Sequence, residues 1–203
     1  MNQQGVTWWE SLQHTGLLLN PQQVRQIEEK YAVPPLSEYL IAQLRRDINR
    51  LDSGELSASE FISRTMPTVF GFEPKKTGWW YRGSNVSAEF SHVLVSGESL
   101  KPQHIWKGNN GGRLPIFIDR NKRVGIGRGR KTVSDVIQWL RQEKCPLALV
   151  TNGRQWRLIH AGLDFNAQAE SDIELWFEEG DVGPQLTALR QLLQPVLLDG
   201  EAP

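Results

Sequence analysis

The chain reads as an α/β protein: a mixed sheet with flanking helices, preceded by a small helical subdomain. Three observations predict this. Residues 114–118 and 147–150 are short apolar runs, partly β-branched, as expected of strands buried on both faces. Between them Val133, Val136, Ile137 and Leu140 fall on one face of a helix, giving a strand–helix–strand unit. Residues 1–72 instead carry apolar stripes at helical spacing.

A length of 203 residues suffices for one or two domains with a real core, and the expected division is 1–72 and 73–203. Hydrophobic residues make up 39% and charged residues 23%, which excludes a disordered chain. No apolar run approaches the roughly 18 residues that span a bilayer, so no membrane partner is expected. The opening MNQQGVTWWE lacks the basic and apolar regions of a signal peptide. A single cysteine, Cys145, excludes an internal disulfide framework and a Cys-based zinc site. A cytoplasmic location is the expectation that follows.

In order along the chain, Asn20, Pro21 and Gln23 announce a helix start, followed by Val24, Ile27 and Tyr31. Val33-Pro34-Pro35 breaks the chain, and Ser37 caps a helix whose stripe is Tyr39, Leu40, Leu44, Ile48 and Leu51. Ser57 and Glu60 have capping-box spacing before Phe61, Ile62, Met66 and Val69. From residue 72 to 112 the signal is mixed, with short strand candidates at 92–95 and 104–106, and Ser87 as a cap for 88–90. Residues 108–112, Gly-Asn-Asn-Gly-Gly, form a loop. Residues 124–126 suggest a Gly-broken strand, and Thr132 or Ser134 caps the next helix, which Pro146 stops. Asn152-Gly153 is the strongest hairpin turn in the chain, with strands expected at 155–160 and, from alternation, at 172–177. A last helix starts near Pro184.

Net charge is zero, but its distribution is uneven. Arg113, Arg120, Lys122, Arg123, Arg128, Arg130 and Lys131 face one acid, Asp119, whereas residues 164–203 hold nine acids and only Arg190. The basic, Gly-rich stretch 125–131 leads into a helix N-terminus, where free N–H groups and the helix dipole attract anions. This suits backbone phosphates of a nucleic acid. The candidate phosphate ligands are Arg120, Lys122, Arg123, Arg128, Arg130 and Lys131. The glycine spacing is neither a dinucleotide fingerprint nor a P-loop. Asp119, ending an apolar strand, has two readings: a turn-forming residue or a metal-binding carboxylate, with Glu89 as the one remote acidic partner. The four histidines lack ligand-like spacing, so no metal site is expected. The adjacent pairs Trp8-Trp9 and Trp79-Trp80 suit core or interdomain packing, or stacking on bases or a partner.

The segment 147–158, LALVTNGRQWRL, resembles the strand–turn–strand that follows the catalytic core of PD-(D/E)XK-type nuclease domains. With Trp8-Trp9-Glu10, Gly16-Leu17-Leu18, Pro34-Pro35-Leu36, Leu44-Arg45-Arg46 and 125–130, the chain is similar to the N-terminal region of type IIG restriction–modification and phage-defence adenine-specific DNA methyltransferases. The resemblance implies a restriction-endonuclease-like sheet, and DNA and methyltransferase or other defence-system subunits as partners. It also implies Mg²⁺-dependent cleavage through an acid near Asp119 and a Glu-x-Lys on the next strand. By order of elements Gly125-Ile126-Gly127 or Gly127-Arg128-Gly129 stands in that second place, so the resemblance implies a degenerate site. An S-adenosylmethionine pocket is absent from these residues. The reading is a DNA-binding or assembly domain of a restriction or phage-defence system. An active Mg²⁺-dependent endonuclease using Asp119, Glu89 and Lys122 or Lys131 stays open, as does an interaction module without DNA contact.

Overall fold

The computed structural model describes residues 8–178 and 181–200. After a short 3₁₀ turn, strand β1 (Gln13–Thr15) precedes three helices, α1 (Pro21–Lys30), α2 (Glu38–Asp52) and α3 (Ala58–Thr68). Their starts are fixed locally. Asn20 and Gln23 form a capping box, as do Ser57 and Glu60, and the Ser37 side chain accepts from the Leu40 N–H. Strands β2 (Gly78–Arg82), β3 (His92–Val93), β4 (Ser99–Leu100), β5 (His104–Gly108) and β6 (Arg113–Ile118) follow. Helix α4 (Gly129–Glu143) then crosses to β7 (Leu147–Thr151). Strands β8 (Gln155–Ala161), β9 (Asn166–Asp172), β10 (Phe177–Glu178) and β11 (Asp181–Val182) lead to α5 (Pro184–Leu192) and α6 (Pro195–Leu198).

Seven strands form one mixed sheet in the order β1-β9-β8-β7-β6-β5-β2. Only β6 and β7 are parallel, with Ile116 opposite Leu149 and Ile118 opposite Thr151. A parallel pair needs a crossover, and α4 supplies it. Two apolar clusters cover the two sheet faces. Phe117, Val150 and Ile159 pack with Val136, Trp139 and Leu140 of α4. On the other face Trp106, Leu114, Ile116, Leu149, Trp156 and Leu158 pack against α1, α2, α3 and α5. The result is three layers, helix–sheet–helix.

The division after Phe72 crosses one continuous core. Trp9, Val24, Leu44 and Phe61 belong to the same cluster as Trp156, Trp176 and Leu189, and β1 pairs with β9. Polar side chains of α5 reinforce this join. Gln191 Nε2 donates to the Ile27 and Tyr31 carbonyls at 3.2 and 2.8 Å, and Arg190 Nε to the Val69 carbonyl at 3.0 Å.

Three local expectations are corrected. Residues 124–126 form no strand and belong to a loop. Residues 173–175 form a 3₁₀ turn, and the neighbouring strand is the polar segment before them, β9. Neither Thr132 nor Ser134 caps α4, which begins at Gly129 after Arg128.

Candidate nucleic-acid interface

Asp119 follows β6 at the C-terminal end of the parallel pair, and its N–H donates to the Thr151 carbonyl at 2.8 Å. Its carboxylate is buried. Oδ1 accepts from the Asn121 N–H at 2.9 Å, from Asn121 Nδ2 at 2.6 Å and from the Thr132 hydroxyl at 3.2 Å. This is an Asx turn joined to the first turn of α4. Oδ2 is shut off from solvent, and a Cβ on Gly129 would lie 3.1 Å from it. The carboxylate therefore sits beside the positive end of α4, tied to it through the Thr132 hydroxyl, with no α4 backbone N–H among its donors.

Residues 120–128 run from this point as an irregular loop, held down at several places. Asn152 Nδ2 donates to the Asn121 and Lys122 carbonyls at 3.2 and 3.1 Å. Gln155 Oε1 accepts from the Val124 N–H at 2.9 Å, and the Val124 side chain is fully buried. Gly125 lies on the guanidinium of Arg157, itself oriented by Glu170 through an Nε–Oε2 bond of 2.7 Å. Beyond Gly125, the carbonyls of Ile126 and Gly127 accept from the N–H groups of Gly129 and Arg130. The backbone is thus fixed while most of its side chains point outward.

Arg120, Lys122, Arg123, Arg128 and Arg130 are exposed, and none makes an ion pair among the described residues. Lys131 differs. It pairs with Glu98 and lies 3.9 Å from Asp135, and its hydrogen bond to Glu98 raises its pKa. Arg120, Lys122 and Arg123 border a cleft of about 750 Å³, lined also by Asp119, Asn152, Arg154, Gln155, Asp172 and Glu174. Arg154 bridges the cleft wall to α2 through Asp52, at 2.5 Å, and reaches Glu174 at 3.3 Å.

The structure separates the acidic pair considered from sequence. Glu89 sits 3.5 Å from Lys107, and Lys107 stands opposite Arg113 at the start of β6. Asp119 lies beyond the far end of that strand, a backbone span of roughly 20 Å from Arg113 at strand rise. The other acids lining the cleft are occupied, Asp172 by the Glu174 N–H and Glu174 by Arg154. A hard divalent cation takes about six oxygen ligands. Of the Asp119 oxygens, Oδ1 already accepts from Asn121 and Thr132, and Oδ2 is buried with no hydrogen-bond partner among the described residues. No group of three His, Cys, Asp or Glu among the described residues is arranged to hold a metal ion.

Elsewhere, Trp9, Trp106, Trp139, Trp156 and Trp176 are buried, and Trp79 on edge strand β2 is 52% exposed. His104 is buried with Nε2 2.8 Å from the Ser59 hydroxyl, and burial, aided by Arg82, lowers its pKa to about 4. Burial also pushes the Cys145 thiol up, away from nucleophilic character. Sequence reasoning missed the anchors Asn152, Gln155 and Arg157. The signal for Asn152 was absorbed by its hairpin role. Nothing local distinguishes Gln155 and Arg157 from ordinary strand residues.

Comparisons with protein-family models, with curated proteins and with solved structures return no match. Among the described residues no helix is long and apolar enough to cross a membrane.

Proposed function

We propose that the protein is a DNA-binding module of a restriction or phage-defence system, gripping backbone phosphates with the loop 120–130. The observation that carries this is the set of five exposed cations that make no ion pair among the described residues, on a backbone anchored by Asp119, Asn152, Gln155 and Arg157. An anchored loop loses little conformational freedom on binding, so its charge is presented ready-made. The biological setting rests on the sequence resemblance, which also supplies a methyltransferase or other defence subunit as companion. Lys131, bound to Glu98, takes a supporting part in place of a direct phosphate contact.

The test is duplex-DNA binding by the full chain across a salt series. Five phosphate contacts give a log–log slope of about −4 to −5, and Arg128→Ala with Arg130→Ala reduces its magnitude by about 2. Wild-type affinity in that double variant would end the proposal. A second reading, a protein-assembly module, draws on Trp79, half-exposed on an edge strand. It predicts no DNA shift even at low salt.

A further inference from the structure

Ile126 stands out on the basic loop. It is 50% exposed, the only large apolar side chain in residues 120–131 that is exposed. Its neighbours turn the chain around it. Gly125 and Gly127 have φ of 69° and 57°, a region that favours glycine. Val124 is buried, Gly125 is pressed on Arg157, and the Ile126 carbonyl accepts from the Gly129 N–H at 3.0 Å. A β-branched side chain, stiff at χ1, is therefore held outward from a fixed backbone. Arg123 and Arg128 flank it within the same loop.

We propose that Ile126 is a wedge that enters duplex DNA from the minor groove and partly unstacks one base step. This rests on the DNA-binding reading and adds to it a mode of engagement. Apolar wedges flanked by cations kink the duplex, and the bend brings more phosphates to the protein. The occupant is chosen by charge: cations on both sides of an apolar tip match a polyanion whose interior is apolar and stacked. Flexible pyrimidine–purine steps such as TA are the expected point of entry, because they cost least to open.

The experiment uses the full chain with a short duplex carrying 2-aminopurine beside a central TA step and a fluorophore pair at its ends. The wild type raises 2-aminopurine fluorescence severalfold and shortens the end-to-end distance. Ile126→Ala, with an unchanged circular dichroism spectrum, loses both signals and still binds in a salt-dependent way, with a slope smaller in magnitude because fewer phosphates are reached without the bend. Salt-dependent binding with neither signal in the wild type, or with both signals retained in Ile126→Ala, overturns the wedge and leaves the phosphate reading standing. No DNA binding by the wild type overturns both. Binding to phosphatidylserine vesicles in preference to DNA also overturns both, and reassigns the tip to a lipid surface.

Discussion

Gly125 and Arg157 are in direct contact: a Cβ on Gly125 would lie 1.7 Å from Arg157 Nη1. The guanidinium is buried between Glu170 and Gln168 and has little room to retreat. Gly125→Ala meets this clash and a φ of 69° together, whereas Gly127 at 57° faces open space. The expected loss is about 2–5 kcal/mol for Gly125→Ala and about 1 kcal/mol for Gly127→Ala. Urea denaturation of the two variants checks the order, and equal midpoints would contradict it.

Asp119 tests the same loop from its other end. Asp119→Ala removes the acceptor for Asn121 and Thr132 at the start of α4 and is expected to cost roughly 2–4 kcal/mol. Asp119→Asn keeps an acceptor oxygen and loses only the charge at the helix dipole, about 0.5–1 kcal/mol. Hydrogen exchange at Asn121 and in the first turn of α4 reads the difference. A variant pair indistinguishable from wild type would remove Asp119 from its structural role.

A pH dependence follows from His104. Its folded pKa of about 4 lies below the ordinary value of 6.5 because the imidazole is buried. Above 6.5 the ring is neutral in both states and adds no slope. As pH falls from 6.5 to 4 the unfolded chain takes up a proton that the folded chain refuses, so stability declines through this window and levels off below it. The decline amounts to at most on the order of 3 kcal/mol. Melting temperatures of wild type and His104→Gln, measured from pH 7 to 4, should converge as the pH drops.

Asp199 is the fourth target. Its carboxylate fills the turn between β5 and β6, accepting from the N–H groups of Asn110 and Gly112 at 3.0 Å. Gly108 and Gly112 leave the space, since a Cβ would meet Asp199 or the Leu198 carbonyl at 1.9 and 2.1 Å. Asp199→Ala should cost about 1–3 kcal/mol and speed amide exchange at Asn110 and Gly112. Unchanged exchange at both amides would show that the turn holds itself.

Local signals were the readable ones. The capping pairs Asn20/Gln23 and Ser57/Glu60, the apolar β6 and β7, the Asn152-Gly153 turn and the Pro184 helix start all follow from chemistry within a few residues, and all appear. β9 escaped notice because its inward residues are Ala167, Ala169 and Ser171, too small to mark an alternation. The Trp79-Trp80 strand was hidden by having one ring outward and one inward. At the candidate interface the basic side chains were legible from composition. Their anchoring was not, because Val124 meets Gln155 thirty-one positions later and Gly125 meets Arg157 only through the tertiary fold. The same long-range geometry separates Glu89 from Asp119.

The carboxylate in the β5–β6 turn also orders events in time. Asn110 and Asp199 lie 89 positions apart. At a ribosomal pace of 5–20 residues per second, the turn waits about 5–20 s after its own synthesis for the group that fills it. During translation this hairpin is a late-closing seam, and its final fastening coincides with the arrival of the last described helix.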